Sequence, residues 1–596
     1  MAYLPLSFVP KNKKSFKNVN YRLPVGGVSL SDNTRNVDEG KCSYMCNMDM
    51  LSDRIKNRVL QEMVCHGFAA EEKINGYFKS RFYDKLVFHA GTHLYLFGSG
   101  DEKPSIIADN LPDKPSLFCI FLSKIYIYCD THVYTLDSEF NFAEELPDAP
   151  LIYESCVANV RYSGKRTELP FNLLAPRITV SYSQCTNRTF ILPQNADVKR
   201  GAVVYKDGEE MPCDEFELHE DYLEISDGHG AVNRLVSLSY FVSEPEKMEF
   251  ENVIADCELI ADFGGNAEGG TRLFFTGNKN KKGYYYKSDF LNPLYVAGDG
   301  FEIIGNGSEN ITALKKMYGN MIVFTEQSVF RMGYTLDKDG SFFSVKELSS
   351  EAGCDCPDSV QLIDNRVVFA NSKKGVFIIE STGENGEQNI KPISGNILKG
   401  NGMGLCDIPT EALKKAKSID FDRKYMLFAD GKAYIWDYDE AGFSGSSNYS
   451  RAEERLKWYI YDGILGSEFV EVDRSLLSFD ETDGVRIFRF NEDVKKSDCE
   501  GVFYSGNSVL FAPKKRKHVY SMSIKLSRSD NCDITLGFFG DGEKYYETKL
   551  PKCEKNKEKI IMKLPKKALY DFAFSIKACG EYEIQDIAFG YYEIKE

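Results

Sequence analysis

The chain has 596 residues, 43% of them hydrophobic and 27% charged, enough for several domains and balanced for folding rather than disorder. Its formal net charge of −16 disfavours passive wrapping of nucleic acid. No stretch reaches the roughly 18 uninterrupted apolar residues of a membrane helix, and the start MAYLPLSFVPKNKKSF lacks a secretory signal pattern, so folding in a cytoplasm without membrane insertion is expected.

Residues 1–60 come first. Asn33 to Asn47 mixes polar residues with glycine and reads as an extended arm or loop. From 61 onward one short unit recurs: a strand-like run ending in Phe or Tyr, a turn, and a second run. Copies begin at Lys85, Lys124, Arg272, Met321, Arg366, Tyr425 and Ser475. Ala90-Gly91 and Cys129-Asp130 supply turn chemistry in the first two. A lone hairpin cannot bury its apolar face, so seven related hairpins imply a repeat fold. The first step is 39 residues and the last four are 49, 45, 59 and 50. These lie near the roughly 40–50-residue period of four-stranded propeller blades. The expected fold is all-β, a β-propeller of about seven blades, with six to eight possible. Residues 61–150 and 256–504 would form blades, and 1–60 an N-terminal arm with the first propeller strand or strands. Strands from 42–60 would close the ring on the last blade and remove a free edge.

The step from 124 to 272 is 148 residues, too long for one blade. It exposes an inserted segment, 151–255. Runs at Arg177-Ile178-Thr179-Val180, Val203-Val204-Tyr205, Tyr222-Leu223-Glu224-Ile225 and Leu235 to Tyr240 read as strands. The steps Lys206-Asp207-Gly208 and Ser226-Asp227-Gly228 are hairpin turns, with Gly supplying positive φ. A small inserted β-sandwich is expected. Thr410 to Lys417 has good helix formers behind a threonine cap and predicts one or two helical turns between blades. Beyond 505 the pattern becomes clean alternation, as in His518 to Leu526, Cys532 to Phe538 and Asp571 to Lys577, which predicts a separate C-terminal β-sandwich over 505–596.

The residues with chemical potential form no constellation, so no catalytic, cofactor-binding or metal-ligating residue is assigned, no cofactor is expected, and a non-enzymatic role is. His89, His93 and His132 flank hairpin turns and read as turn-adjacent polar residues. Of 16 cysteines, Cys119, Cys129, Cys185, Cys532 and Cys579 sit in apolar runs and read as reduced buried thiols. Cys42 with Cys46 and Cys354 with Cys356 lack a second pair at zinc spacing. Gly264-Gly265 and Gly269-Gly270 have no following Gly-Lys-Ser/Thr and read as a flexible loop leading into the next blade. Lys514-Lys515-Arg516-Lys517 reads as a solvated linker before the C-terminal strands. Only Trp436 and Trp458 are present, so the repeated tryptophan boxes of sialidase-type propellers cannot recur.

Several segments resemble tailed-phage virion proteins built on a β-propeller. Leu23-Pro24-Val25-Gly26-Gly27-Val28, Val37-Asp38-Glu39-Gly40 and Cys46-Asn47-Met48-Asp49 are similar to their opening, although Leu51 to Arg58 lacks the glycines usual there. Asn172-Leu173-Leu174-Ala175-Pro176-Arg177 resembles the lead-in to their inserted β-domain. The ordered series Thr271 to Asn278, Tyr286 to Asp289, Asn292 to Tyr295, Ile311 to Leu314 and Ile322 to Phe330 is the most specific likeness. The resemblance, to nozzle or tail tubular B-type proteins, implies a ring-forming tail or neck component around the DNA exit channel. Its expected partners are further copies of itself, portal, adaptor or tail proteins, and DNA in transit. An acidic channel lining would keep that DNA mobile. Two other functions remain open: a receptor- or carbohydrate-binding tail-tip protein, for which Tyr284-Tyr285-Tyr286 is a candidate stacking surface, and a propeller-fold glycan hydrolase.

Overall fold

The computed structural model describes residues 16–594 except 22, 25, 31–36, 38–39, 52–53, 70–71, 79–83, 156–171, 183–187, 227–233, 245–249, 266–268, 338–339, 383–386, 401, 439–455, 492–498, 507–514 and 553–556. The described chain is almost entirely β, with one short α-helix, Thr410–Lys414. Thr410 lies inside that helix; Pro409 is its N-cap and supplies no capping side chain, unlike the threonine cap read from the sequence.

Every recurring hairpin forms the second and third strands of a four-stranded antiparallel array. In chain order these arrays span 74–108, 116–145, 259–303, 311–349, 361–392, 417–462 and 468–491, and are called sheets one to seven below. Several of their turns are two-residue loops with both central residues at positive φ: Leu122-Ser123, Asp364-Asn365, Asp422-Arg423 and Asp473-Arg474. That geometry matches the right-handed twist of the flanking strands.

The second strands read as unbroken apolar runs because they serve two cores at once. In sheet one, Leu86, Phe88 and Ala90 pack against sheet seven, whereas Val87 packs against sheet two. In sheet five, Val367 and Phe369 face sheet four, and Val368 and Ala370 face sheet six. Shared cores link each sheet to the next, and the core of Leu86 and Phe88 with Leu477 and Phe479 links the seventh to the first. The fourth strand of sheet seven is Leu60–Cys65, from the opposite end of the chain, paired with Arg486–Asn491. This closing strand begins where the expected closing segment, 42–60, ends.

Between sheets two and three lies the inserted unit. A five-stranded sheet (151–155, 177–182, 196–206, 209–210 and 236–242) and a three-stranded sheet (189–191, 216–218 and 222–225) enclose one core of Ile178, Val180, Phe190, Val204, Leu223 and Leu238. The Asp207-Gly208 turn has positive φ at both residues, as read from the sequence. The turn read at Ser226-Asp227-Gly228 falls largely outside the described residues.

The C-terminal strands are not a separate unit. Phe16–Tyr21 pairs with Tyr582–Glu593, and Cys42–Cys46 pairs with Glu500–Ser505. Cys42–Cys46 also meets the last strand of sheet six in parallel, Cys46 opposite Ile460. Sheet six therefore continues through the N-terminal strand into a nine-stranded sheet ending in C-terminal strands. Gly27 permits this junction: its φ is +77°, and a Cβ there would meet the Trp458 carbonyl oxygen at 2.5 Å.

Candidate functional site

The innermost strands of the sheets and the turns between their second and third strands converge on a cavity of 1340 Å³. Its wall draws on all but sheet two, and on the helix at 410–414. The charged lining consists of nine Asp or Glu and seven Lys, with no Arg, His or Cys. Acids exceed lysines there in much the same proportion as in the whole chain, which has 89 Asp or Glu to 73 Lys or Arg.

Many of these charges tie neighbouring sheets together. Lys417 in sheet six reaches Asp358 before sheet five at 2.8 Å and Glu468 in sheet seven at 2.6 Å. Burial works to lower the Lys417 pKa, but the two carboxylates outweigh it and hold the ammonium above its ordinary value. Glu468 also accepts from the Tyr77 hydroxyl of sheet one at 2.5 Å, and Glu481 accepts from the Ile74 amide at 2.8 Å. These bonds bridge sheets seven and one. Lys414 pairs with Glu411 at 2.9 Å, Asp355 accepts from the Ser372 amide at 2.7 Å, and the Lys374 ammonium donates to the Glu351 carbonyl. The bonds from Lys417, Glu468, Glu481 and Lys374 fix the spacing of the sheets around the cavity, whereas Lys414–Glu411 stays within the helix.

The histidines are dispersed among separate partners. His89 is fully buried, its Nδ1 3.1 Å from the Ser116 hydroxyl, and burial pushes its pKa down to about 4. His93 faces Glu72 at 3.4 Å; His132 faces Glu144 at 2.8 Å and stacks on Tyr134. Among the described residues no group of three His, Cys, Asp or Glu is placed to hold a metal ion. Cys119, Cys129 and Cys532 are buried free thiols; Cys579 is half-buried, and Cys185 lies outside the described residues. Cys354 and Cys356 are also buried, and burial pushes the Cys354 thiol up to about 12, far from the reactive thiolate range.

Three features differ from the sequence reading. The glycine-rich stretch lies within sheet three, joining Leu259–Phe263 to Arg272–Thr276, rather than leading into the next blade. Its ends are tightly packed: a Cβ at Gly270 would meet the Phe263 amide at 2.2 Å, and Gly270 donates to Asp262 at 2.8 Å; residues 266–268 lie outside the described residues. Tyr285 and Tyr286 are buried, so the tyrosine run offers sugars no open stacking face; Tyr284 is half-buried against Phe301. In the basic run, Lys515 pairs with Glu593 at 3.1 Å and Arg516 lies over Tyr570. Lys517 is buried as the first residue of a strand, and burial lowers its pKa. Lys515 and Arg516 are exposed ahead of the strand, as read, and only Lys517 is built into the fold; Lys514 lies outside the described residues.

Sequence reasoning passed over a polar cluster under the N-terminal strands. Asp49, buried, accepts from the Tyr461 hydroxyl, and Arg58 donates to the Asp462 carbonyl at 3.0 Å while lying over the Tyr461 ring. Lys457 and Asp437 form a buried ion pair at 2.8 Å in the same sheet. The partners lie hundreds of residues apart or on neighbouring strands, and no local motif marks them.

No family model matches the chain, and no curated protein matches it. Among solved structures, the chain is similar to the AfRom2 CNH domain at 8% identity and TM-score 0.35, over 72% of this chain and 99% of that one. It is similar to Hsv2 of Kluyveromyces lactis at 8% identity and TM-score 0.31, over 73% and 94%. It is also similar to apo AztD of Citrobacter koseri at 10% identity and TM-score 0.28, over 71% and 98%. No helix among the described residues is long and apolar enough to cross a membrane.

Proposed function

We propose that the seven sheets are the blades of one closed β-propeller carrying an inserted β-sandwich unit and C-terminal strands continuous with the sixth blade, and that the protein is a structural component of a tailed-phage virion. In this reading copies of the chain form a ring in the tail or neck, contact portal, adaptor or tail proteins, and surround the path of the DNA.

The observation that carries the proposal is the double locking of the chain ends. Leu60–Cys65 completes sheet seven, Phe16–Tyr21 pairs with the last strand, Tyr582–Glu593, and Cys42–Cys46 lies between the last strand of sheet six and Glu500–Ser505. A frame closed in this way has no free blade edge at its seam and resists stepwise unravelling. That suits a part that holds its shape while a genome passes. The engagement of the cavity's charges in bonds between sheets favours the same reading. The ordered motif series from Thr271 to Phe330 supplies the virion context: it runs from the second strand of sheet three to the start of the third strand of sheet four.

Electron microscopy and mass photometry of the purified protein, alone and with portal and adaptor proteins, test the proposal. Closed rings are expected. Monomers under every condition, including high concentration with neck partners present, overturn it. Glycan-array binding by those monomers favours a receptor-binding role instead, and released sugar favours a hydrolase.

A further inference from the structure

Two exposed edges of opposite charge lie on the two units appended to the frame. Residues 207–224 of the inserted unit carry nine Asp or Glu and no Lys or Arg. This stretch supplies an edge strand to each inserted sheet, Glu209–Glu210 and Phe216–Leu218, and Glu209, Glu210, Asp214, Glu217 and Glu224 are exposed along it. Within a chain of net charge −16, residues 505–596 instead carry 17 Lys or Arg against 13 Asp or Glu. The edge strand there is Lys557–Lys563, paired on one side only, with Lys517–Arg528. Its outward-facing Lys559, Ile561 and Lys563 are exposed, Ile561 at 71%.

Each edge also holds a like-charge pair directly across its ladder. Glu217 stands opposite Glu224, and Lys559 stands opposite Lys525, which has Asp586 opposite it on its other side. Like charges in that position destabilise an isolated sheet. Lys525, Lys559 and Lys563 make no ion pair among the described residues. Two repulsive pairs of opposite sign offset one another when the edges meet. Within one chain they are kept apart: the inserted unit leaves the frame between sheets two and three, and the C-terminal strands leave from sheet six, on the far side of a seven-membered ring.

We propose that the acidic edge of the inserted unit docks on the Lys557–Lys563 edge of a second copy of this chain. The contact is head-to-tail, the kind that closes into a ring when its rotation permits. Ile561 gives it an apolar centre flanked by lysines, and a partner on that side blunts an otherwise open strand edge. The proposal rests on the ring reading above and adds which surfaces meet.

Charge reversal tests it. One variant carries Lys525→Glu with Lys559→Glu, and another Glu217→Lys with Glu224→Lys. Each keeps its like-charge pair, but Lys525→Glu also sets a second acid opposite Asp586 and should melt somewhat below the parent; circular dichroism at the assay temperature shows that each variant is folded and separates an assembly defect from a folding defect. Each variant alone is expected to need at least about tenfold more protein for half-assembly. The chain carrying all four reversals should assemble like the parent, because both surfaces change sign together. Parent-like assembly by either double variant, or no recovery by the fourfold variant, overturns the docking while leaving the ring reading intact. A parent that never assembles overturns both.

Discussion

His89 shows how one buried side chain sets a pH limit on the frame. It lies between sheets one and two, opposite Gly76 in the ladder, and a Cβ on that glycine would strike the Ser116 carbonyl at 2.3 Å. The close approach leaves His89 dry, and its pKa falls from an ordinary 6.5 to about 4. Between those values the unfolded chain binds a proton that the folded chain refuses. Stability from this site is therefore fully present above about pH 6.5 and is lost progressively as the pH falls toward 4. His89→Gln keeps a polar partner for Ser116 without titrating. Its melting temperature should fall less than that of the parent between pH 7 and pH 4.5, and equal slopes would remove His89 as the cause. The Lys457–Asp437 pair makes a second case. Asp437→Ala removes the carboxylate paired with a buried ammonium and should cost about 3–5 kcal/mol, whereas replacing both residues with apolar side chains of similar volume should cost much less. Urea denaturation of the single and double variants distinguishes these outcomes.

At the scale of elements, the closing strand depends on more than its ladder. The Gln61 carboxamide donates to the Leu465 carbonyl at 2.6 Å and to the Ser478 hydroxyl at 2.7 Å, and accepts from the Leu465 amide at 2.8 Å. Gln61→Ala removes all three bonds and should cost about 1–3 kcal/mol. Hydrogen exchange should quicken in 60–65 and 486–491 and stay unchanged in the inserted unit; unchanged exchange at 60–65 would mean that the ladder alone holds the strand. The strands flanking this seam were legible in the sequence because their order is local. Hairpins such as Lys85 to Phe97 carry their own turn and an apolar run long enough to face two cores, so neighbouring residues suffice to find them. Alternation in the C-terminal region was equally plain, but alternation names no partner. The pairing of Phe16 with Tyr592 and of Cys46 with Ile460 joins residues more than 400 positions apart, and no local pattern encodes it. The cavity was hidden for the same reason: its wall is assembled from first strands and turns of six sheets. Its ion pairs join lysines and carboxylates of an ordinary kind, such as Lys417 and Asp358.

For the molecule as a whole, the inserted unit and the frame should be separable. The unit has its own core, and the buried Asn172 anchors its lead-in, alongside Arg177, which donates to the Pro147 carbonyl at 2.8 Å. The Asn172 amide nitrogen donates to the carbonyls of Asp148 at 2.9 Å and Leu294 at 2.7 Å, and its oxygen accepts from the amides of Leu174 and Val296 at 3.1 Å each. These bonds fasten the lead-in to sheet three before the unit's second strand begins at Arg177. Arg177 then stands directly opposite Phe241 in the ladder, so a two-residue turn can join them and replace 178–240 without stretching the chain. The shortened protein keeps Asn172, all seven sheets and the C-terminal strands. It should retain β-type circular dichroism and a cooperative melt close to the parent's. Asn172→Leu in the full chain should act in the opposite way, leaving the unit's core intact but stranding backbone groups at the junction and lowering the melting temperature of the frame. Because the shortened chain lacks the acidic edge at 207–224, it should stay folded yet fail to form rings, as judged by mass photometry. Loss of folding would show that the inserted unit braces the frame; rings formed without it would show that assembly runs through other surfaces.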